Sequence, residues 1–477
     1  MTQRAQLELT LGTAPKGTRR PGEQPLRFLI LGDFSGRAQA SSNFVTHRLS
    51  VDNVDQTIAE LQPVLRIPGH AESGSDRDVT IAAFEHLHPD YLATAVPELE
   101  HLLELRRRLA EPTTERQALA ELDALTTSVP SGASPAADRD TAPRAAGESE
   151  EELFGRLLGR TRTTETDTRA KETVQRLIQD ALGPDQTPPS TERAADGAAR
   201  VAELLGTHLR QILHAPGFRN IERAWRGAHW LLTRLEDDDA ELYLLDLSKT
   251  ALAEHLGALD GQLDASPLRE LLADAEPGWD LIIGDYSFGL TPEDIVLLAT
   301  LGALAASAQA PFIAHGELTF AGCPGAQAID APWDWSFDDE ELGKLWTELR
   351  AHPAAKWITL AAPRFLLRYP YGPKNDPTTV FDFEELPVSP SRERFLWGNP
   401  AFACALLVGR ADGTGSVPDL PTPLYRDSGG DAIQPPLEFL LNERARAAVS
   451  RHGLVVFSGG RNTNRVAADS VHSIAAD

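Results

Sequence analysis

Polar and apolar residues alternate from Gln6 to Leu11, which places Leu7, Leu9 and Leu11 on one face of a predicted half-buried strand. A Gly/Pro/Arg-rich connector leads into Leu26–Leu31, a near-continuous apolar run closed by Gly32, which reads as a further strand. Val51, Val54, Ile58, Leu61 and Leu65 recur at helical spacing and predict a helix over Val51–Leu65. Asp78–Phe84 alternates again, as a strand does. Pro97 suits the first position of a helix whose buried stripe is Leu99, Leu102, Leu103, Leu105 and Leu109.

Beyond Leu125 the pattern stops. From Thr126 to Ser149 the chain is Ser, Pro, Ala, Gly and mixed charge, with nothing that can bury a face, so a flexible, disordered linker is expected. Helices are predicted at Glu150–Leu182 and Ser190–His214, separated by Gly183-Pro184 and Pro188-Pro189. A third carries Phe218, Ile221, Trp225, Ala228 and Leu232 on one stripe. Strands are expected at Glu241–Asp246, Asp280–Ile283 and Trp357–Ala361. Pro292–Gln309 is apolar nearly all round and so belongs between layers. The fold class is α/β to α+β: two modules, residues 1–125 and 150–477, with mixed sheets flanked by helices and joined through residues 126–149.

Composition narrows the function. Hydrophobic residues make up 42% and charged residues 24% of 477, a globular balance too large for one ordinary core. Net charge is −25, which argues against binding nucleic acid or anionic lipid, since both need a basic surface. Cys323 and Cys404 are the two cysteines, so neither a disulfide framework nor a cysteine-rich metal site is expected. Met1–Glu23 lacks the apolar core of a signal peptide, and the most apolar run, Ile295–Ala310, is too short to span a bilayer. A cytoplasmic protein without membrane insertion is the expectation.

Candidate chemistry is sparse. Phe28–Ser35 and Asp280–Ser287 echo one another as apolar strands running into Gly-Asp-aromatic-Ser. Asp33 or Asp285 in such a corner can bind a metal or polarise a water, or the Gly can turn the chain while the Asp takes local amides. No Gly-Lys-Ser/Thr follows either strand, and His-Glu-x-x-His and Gly-x-Ser-x-Gly are absent. On a strand His86 and His88 would share a face, with Glu85 and Asp90 nearby, but no second His pair supplies the rest of a tetrahedral site. Arg364, Arg368 and Lys374 can clamp an anion, or pair with Asp382, Glu384 and Glu385 across a subunit boundary, the favoured reading. Cys323 and Cys404 are expected to be small buried hydrophobes. No catalytic residue, cofactor or metal is expected, and the chain reads as a non-enzyme.

Two regions resemble two families that work together. Pro25-Leu26-Arg27-Phe28, Leu31-Gly32-Asp33-Phe34-Ser35-Gly36-Arg37, Asn43-Phe44, Arg48-Leu49-Ser50-Val51-Asp52-Asn53 and Val96-Pro97-Glu98-Leu99 resemble the small sheath subunit of type VI secretion systems, with Val54 where that family has Phe. Gln211-Ile212-Leu213-His214, Ile221-Glu222, Trp225-Arg226-Gly227, Ile283-Gly284-Asp285-Tyr286, Pro363-Arg364-Phe365-Leu366-Leu367-Arg368 and Leu396-Trp397-Gly398-Asn399 resemble the large sheath subunit. The resemblance implies a structural subunit of a contractile sheath that assembles with other sheath subunits around an inner tube protein and on baseplate components. It also implies recycling by a hexameric ATPase that grips a helix within Glu150–Leu182. Leu7, Leu9 and Leu11 would then lie on a strand donated to a neighbouring subunit. The large-subunit family usually continues several dozen residues past the position of Asp477, in a stretch that contributes to strand exchange. The alternatives are a sheath-derived adaptor or cap that does not polymerise, and an enzyme using Asp33 or Asp285.

Overall fold

The computed structural model describes residues 25–37, 44–67, 77–127, 190–236, 239–259, 261–387, 392–410, 413–426, 432–433 and 435–476. The predicted strand with Leu7, Leu9 and Leu11, the helix Glu150–Leu182 and residues 128–149 of the expected linker lie outside them. By contact, the chain forms two compact units, Met1–Leu99 with Gly206–Asp477, and Glu100–Leu205.

The strands are β1 (Leu26–Gly32), β2 (Thr46–Leu49), β3 (Val64–Ile67), β4 (Arg77–Thr80), β5 (Ala240–Asp246), β6 (Leu281–Phe288), β7 (Phe312–Gly316) and β8 (Ile358–Ala362). They continue with β9 (Phe365–Leu366), β10 (Trp397–Gly398), β11 (Gly415–Val417), β12 (Tyr425–Arg426), β13 (Ala432–Ile433), β14 (Leu454–Gly459) and β15 (Val466–Ala468). Nine of them build one sheet in the order β11-β15-β14-β8-β7-β6-β1-β5-β2. The run from β5 to β14 is parallel, while β2, β15 and β11 pair antiparallel at the two ends. Both families of sequence signal therefore feed a single mixed sheet.

Helices cover both faces, as a parallel sheet requires. Lys249–Gly257, Pro267–Ala273, Pro292–Ala308 and Glu340–Ala351 share one core with Leu29, Leu31, Ile282 and Phe312. On the other face lie Pro216–Leu232 and Pro400–Gly409, the latter buried at every residue. These two helices touch where Gly227 leaves no room for a side chain: a Cβ there would lie 2.3 Å from the Phe402 ring. In the second unit, Arg108 pairs with Glu121 at 2.7 Å, and Gly197 lets its helix approach Leu119 and Leu109.

Several expectations meet different local physics. The helix predicted over Val51–Leu65 begins as a 3-10 turn, is α-helical over Val54–Leu61, and stops at Gln62, which takes a left-handed φ of 48°. Pro63 follows, and a residue before proline is pushed out of the helical region, so Leu65 falls in β3 instead. The Asp78–Phe84 strand ends at Thr80, because the Phe84 N–H is taken by the Asp55 carboxylate at 2.8 Å and starts a 3-10 turn. The predicted Asp280–Ile283 strand runs on to Phe288, with a shift in its pairing to β7 between Ile283 and Ser287.

Candidate functional site at the seam of the shared sheet

β1 joins the front of the chain to the rear. It pairs with β5 from Leu26↔Ala240 to Gly32↔Asp246, and with β6 from Phe28↔Leu281 to Leu31↔Gly284. Phe28, Leu29, Ile30 and Leu31 are wholly buried. At about 1.5–3 kcal/mol each, four such side chains hold the strand by on the order of 6–12 kcal/mol, an upper estimate. An unbroken apolar run fits a strand covered on both faces, and that is where this one sits.

Polar contacts fix its ends. Arg27 donates its backbone N–H to Asp280 at 2.7 Å, and its guanidinium lies over Tyr243 and Trp279, 4.7 and 4.4 Å from the ring centroids. Beyond the strand, Asp246 accepts the N–H groups of Phe34 and Ser35 at 2.9 and 3.0 Å. The Trp225 indole donates to the Phe34 carbonyl at 2.9 Å. Farther along, Asp90 accepts from the backbone and hydroxyl of Thr379 and from the Val380 N–H. Burial opposes charge on Asp90, but these donors outweigh it and hold the carboxyl below its usual range.

A buried ion network stands beside the seam. Glu222, with no exposed surface, receives Arg368 at 2.6 and 3.1 Å and Arg226 at 2.8 Å. Arg368 also reaches Glu385 at 2.7 Å, and Glu385 accepts the Tyr371 N–H at 2.9 Å. Burial drives Glu222 upward, yet Arg368 and Arg226 together bring it below the ordinary carboxylate range. Burial first of all raises the Tyr371 hydroxyl to about 12. Arg364 instead forms a two-bond pair with Glu438 at 2.7 and 2.6 Å. Glu384 and Lys374 are exposed; the Glu384 carbonyl takes Arg210 at 3.1 Å. Arg364 and Arg368 thus meet carboxylates of their own chain, and the structure unites Arg368 with Glu385 but not with Glu384.

The two Gly-Asp segments lie side by side, Gly32-Asp33 at the carboxyl end of β1 and Gly284-Asp285 within β6. The chain passes from β1 to β5 on one flank and then to β6 on the other, so the strand order reverses here, the usual place for a ligand crevice in such sheets. The two aspartates differ. Asp33 follows a strand end and accepts the Gly36 N–H at 2.8 Å. Asp285 lies within β6, where Asn399 takes the carbonyls of Gly284 and Tyr286 at 3.1 and 2.9 Å and keeps the segment extended. Its own Oδ1 meets no hydrogen-bond donor, and Arg223 stands 3.8 Å from Oδ2. Next door, Ser287 Oγ and His315 Nδ1 are 2.6 Å apart. Burial, then Arg364 and Arg223, push His315 well below its usual range, so the imidazole is neutral.

His86 stacks on Tyr91 and accepts the Ala82 N–H, while His88 caps the helix Pro89–Ala95. Cys323 and Cys404 are buried free thiols. Among the described residues, no group of three or more His, Cys, Asp or Glu side chains is placed to hold a metal ion. Sequence reasoning did not single out Asp246, Arg223 or Glu438. Glu222 did carry a visible signal, a carboxylate between Ile221 and Trp225 on an apolar helix stripe.

The geometry is thus a doubly covered sheet in which β1 sits between β5 and β6, with intrachain buried ion pairs beside it. Residues 196–475 match the family described as EvpB/VC_A0108, tail sheath N-terminal domain, and the chain belongs to that family. Residues 2–129 match the family described as type VI secretion system, VipA, VC_A0107 or Hcp2. The chain is also similar to the type VI secretion system sheath protein TssC1 of Pseudomonas aeruginosa, 30% identical over 284 residues. That match covers 54% of this chain and 57% of the relative, so the chain spans little more than half of the relative's length. No helix among the described residues is long and apolar enough to cross a membrane.

Proposed function

We propose that this chain is a structural, non-enzymatic subunit of a type VI secretion contractile sheath, with its small-subunit and large-subunit parts carried on one polypeptide. Residues 1–125 and 150–477 are the two modules and 126–149 the tether. The observation that carries this reading is the seating of β1, from the small-subunit part, between β5 and β6 of the large-subunit part. A strand pair completed in this way makes a rigid building block, and a sheath needs one because its work comes from rearranging blocks and not from chemistry. The block assembles with other sheath subunits in the cytoplasm, around an inner tube protein and from a baseplate, and a hexameric ATPase takes it apart after contraction.

Electron microscopy of the purified chain, alone and with tube protein, tests the reading. Sheath-like tubes in at least the second sample are expected. Monomers in both samples would contradict it.

A further inference from the structure

Three carboxylates converge beside the ends of β5 and β1 and the middle of β6: Asp246, Asp33 and Asp285. Asp246 has one oxygen committed to the Phe34 and Ser35 N–H groups, and Asp33 has one committed to Gly36. Asp285 is different. Its side chain is 2% exposed, its Oδ1 has no hydrogen-bond partner, and its cation, Arg223, is no closer than 3.8 Å.

The surrounding elements supply little else. From the start of helix Pro400–Gly409, Asn399 donates to the Gly284 and Tyr286 carbonyls, accepts the Ala401 N–H, and also gives Asp285 a side-chain hydrogen bond that leaves its Oδ1 unpartnered. On β6, the Tyr286 hydroxyl is turned to the Leu247 carbonyl at 2.6 Å. From β7, His315 is neutral and engaged with Ser287. Three carboxylates therefore face one arginine, and the three acids are not placed to hold a metal. A buried ionised carboxylate with an unpaired oxygen is strongly disfavoured, and the smallest remedy is a proton.

We propose that Asp285 carries a proton in the folded chain near neutral pH, making the β1–β6 seam a proton-linked joint that loosens when the proton leaves. The direction of its titration agrees. Burial above all raises the Asp285 carboxyl from 3.8; Arg223 and Asn399 oppose that, and Asp33 adds to it. Asp33 is also raised, chiefly by burial, with Asp246 contributing and Gly36 and Arg223 opposing. A carboxyl raised on folding binds its proton more tightly in the folded state. Stability is then lost as pH climbs from the unfolded value to the folded one. The joint lies where the small-subunit part enters the large-subunit sheet, so proton uptake favours the closed block.

The experiment compares the full wild-type chain with Asp285→Asn, which keeps the shape and removes the titration. Melting temperatures should agree near about pH 4, and the variant should gain on wild type by a few degrees toward about pH 8. Infrared spectra of wild type near neutral pH should show a protonated-carboxyl carbonyl band that Asp285→Asn lacks. Asp33→Asn, which removes a neighbouring charge, should lose that band at lower pH than wild type does, and this reads the same proton if Asp285→Asn does not fold. A melting difference independent of pH, or absence of the band from wild type, would overturn the proposal. So would a rise in melting temperature with magnesium or potassium salts that Asp285→Asn abolishes, since a cation would then hold the site.

Discussion

A carboxylate without exposed surface has to be matched on every side, and Glu222 is matched by two arginines and a helix that hides it. Taking away one member of such a group strands the others. Glu222→Gln should cost about 3–5 kcal/mol in denaturant unfolding, and Glu222→Gln with Arg368→Met should cost less than the two changes summed. Because folding lowers the Glu222 carboxyl, its contribution is complete above the unfolded carboxyl pKa and disappears as pH falls through the folded one. The wild-type stability profile should therefore fall more steeply in acid than that of Glu222→Gln. Equal slopes would show that the charge does not stabilise the fold. At this scale the sequence is half legible. Complementary charge in the Arg364–Arg368 and Asp382–Glu385 stretches is plain to read. Glu222, the further partner of Arg368, lies 146 residues before it, and only the fold brings them together. Likewise the echo between the Gly-Asp segments is visible in the letters. Yet Asp33 accepts a backbone amide in its turn, whereas Asp285, within a strand, keeps an oxygen without a hydrogen-bond partner.

Among elements, long periodic segments were the legible ones. Pro292–Ala308, Pro97–Ala110 and Pro216–Leu232 form where their stripes place them, and β1 and β5 where their apolar runs do. The misplaced boundaries trace to single residues: Pro63 ends a helix whose apolar spacing continues past it, and the Asp55 carboxylate turns the chain at Phe84. Periodicity cannot reveal which strands become neighbours. β1 and β5 stand more than two hundred positions apart in the sequence, yet they pair along the whole of β1. The strand predicted at Gln6–Leu11 belongs to the same kind of argument. Alternation gives Leu7, Leu9 and Leu11 one apolar face, which suits addition to the edge of a neighbour's sheet. Deleting residues 1–12 should leave a folded chain that no longer polymerises, as judged by circular dichroism and electron microscopy. Assembly at the wild-type level would reject the donor role.

For the molecule as a whole, the sheath reading turns on what the tether does. On the proposed reading, residues 126–149 tether the two parts at an effective concentration of roughly millimolar, so each large part meets its small part in equal number. Such a tether speeds the meeting but adds nothing to the finished sheet. The wholly buried side chains of β1, the Asp90 contacts with Thr379 and Val380, and the ring contacts of Arg27 involve no residue of 126–149. Net charge of −25 works against dense packing, so a polymer of the proposed kind must rely on specific contacts between copies. The most direct test is to place a protease site within residues 128–149, cut the folded chain, and follow the pieces by size-exclusion chromatography and thermal unfolding. The account predicts that both fragments elute together at the position of the uncut protein and melt in one transition. Fragments that separate under native conditions, each keeping its own folded sheet, would contradict it.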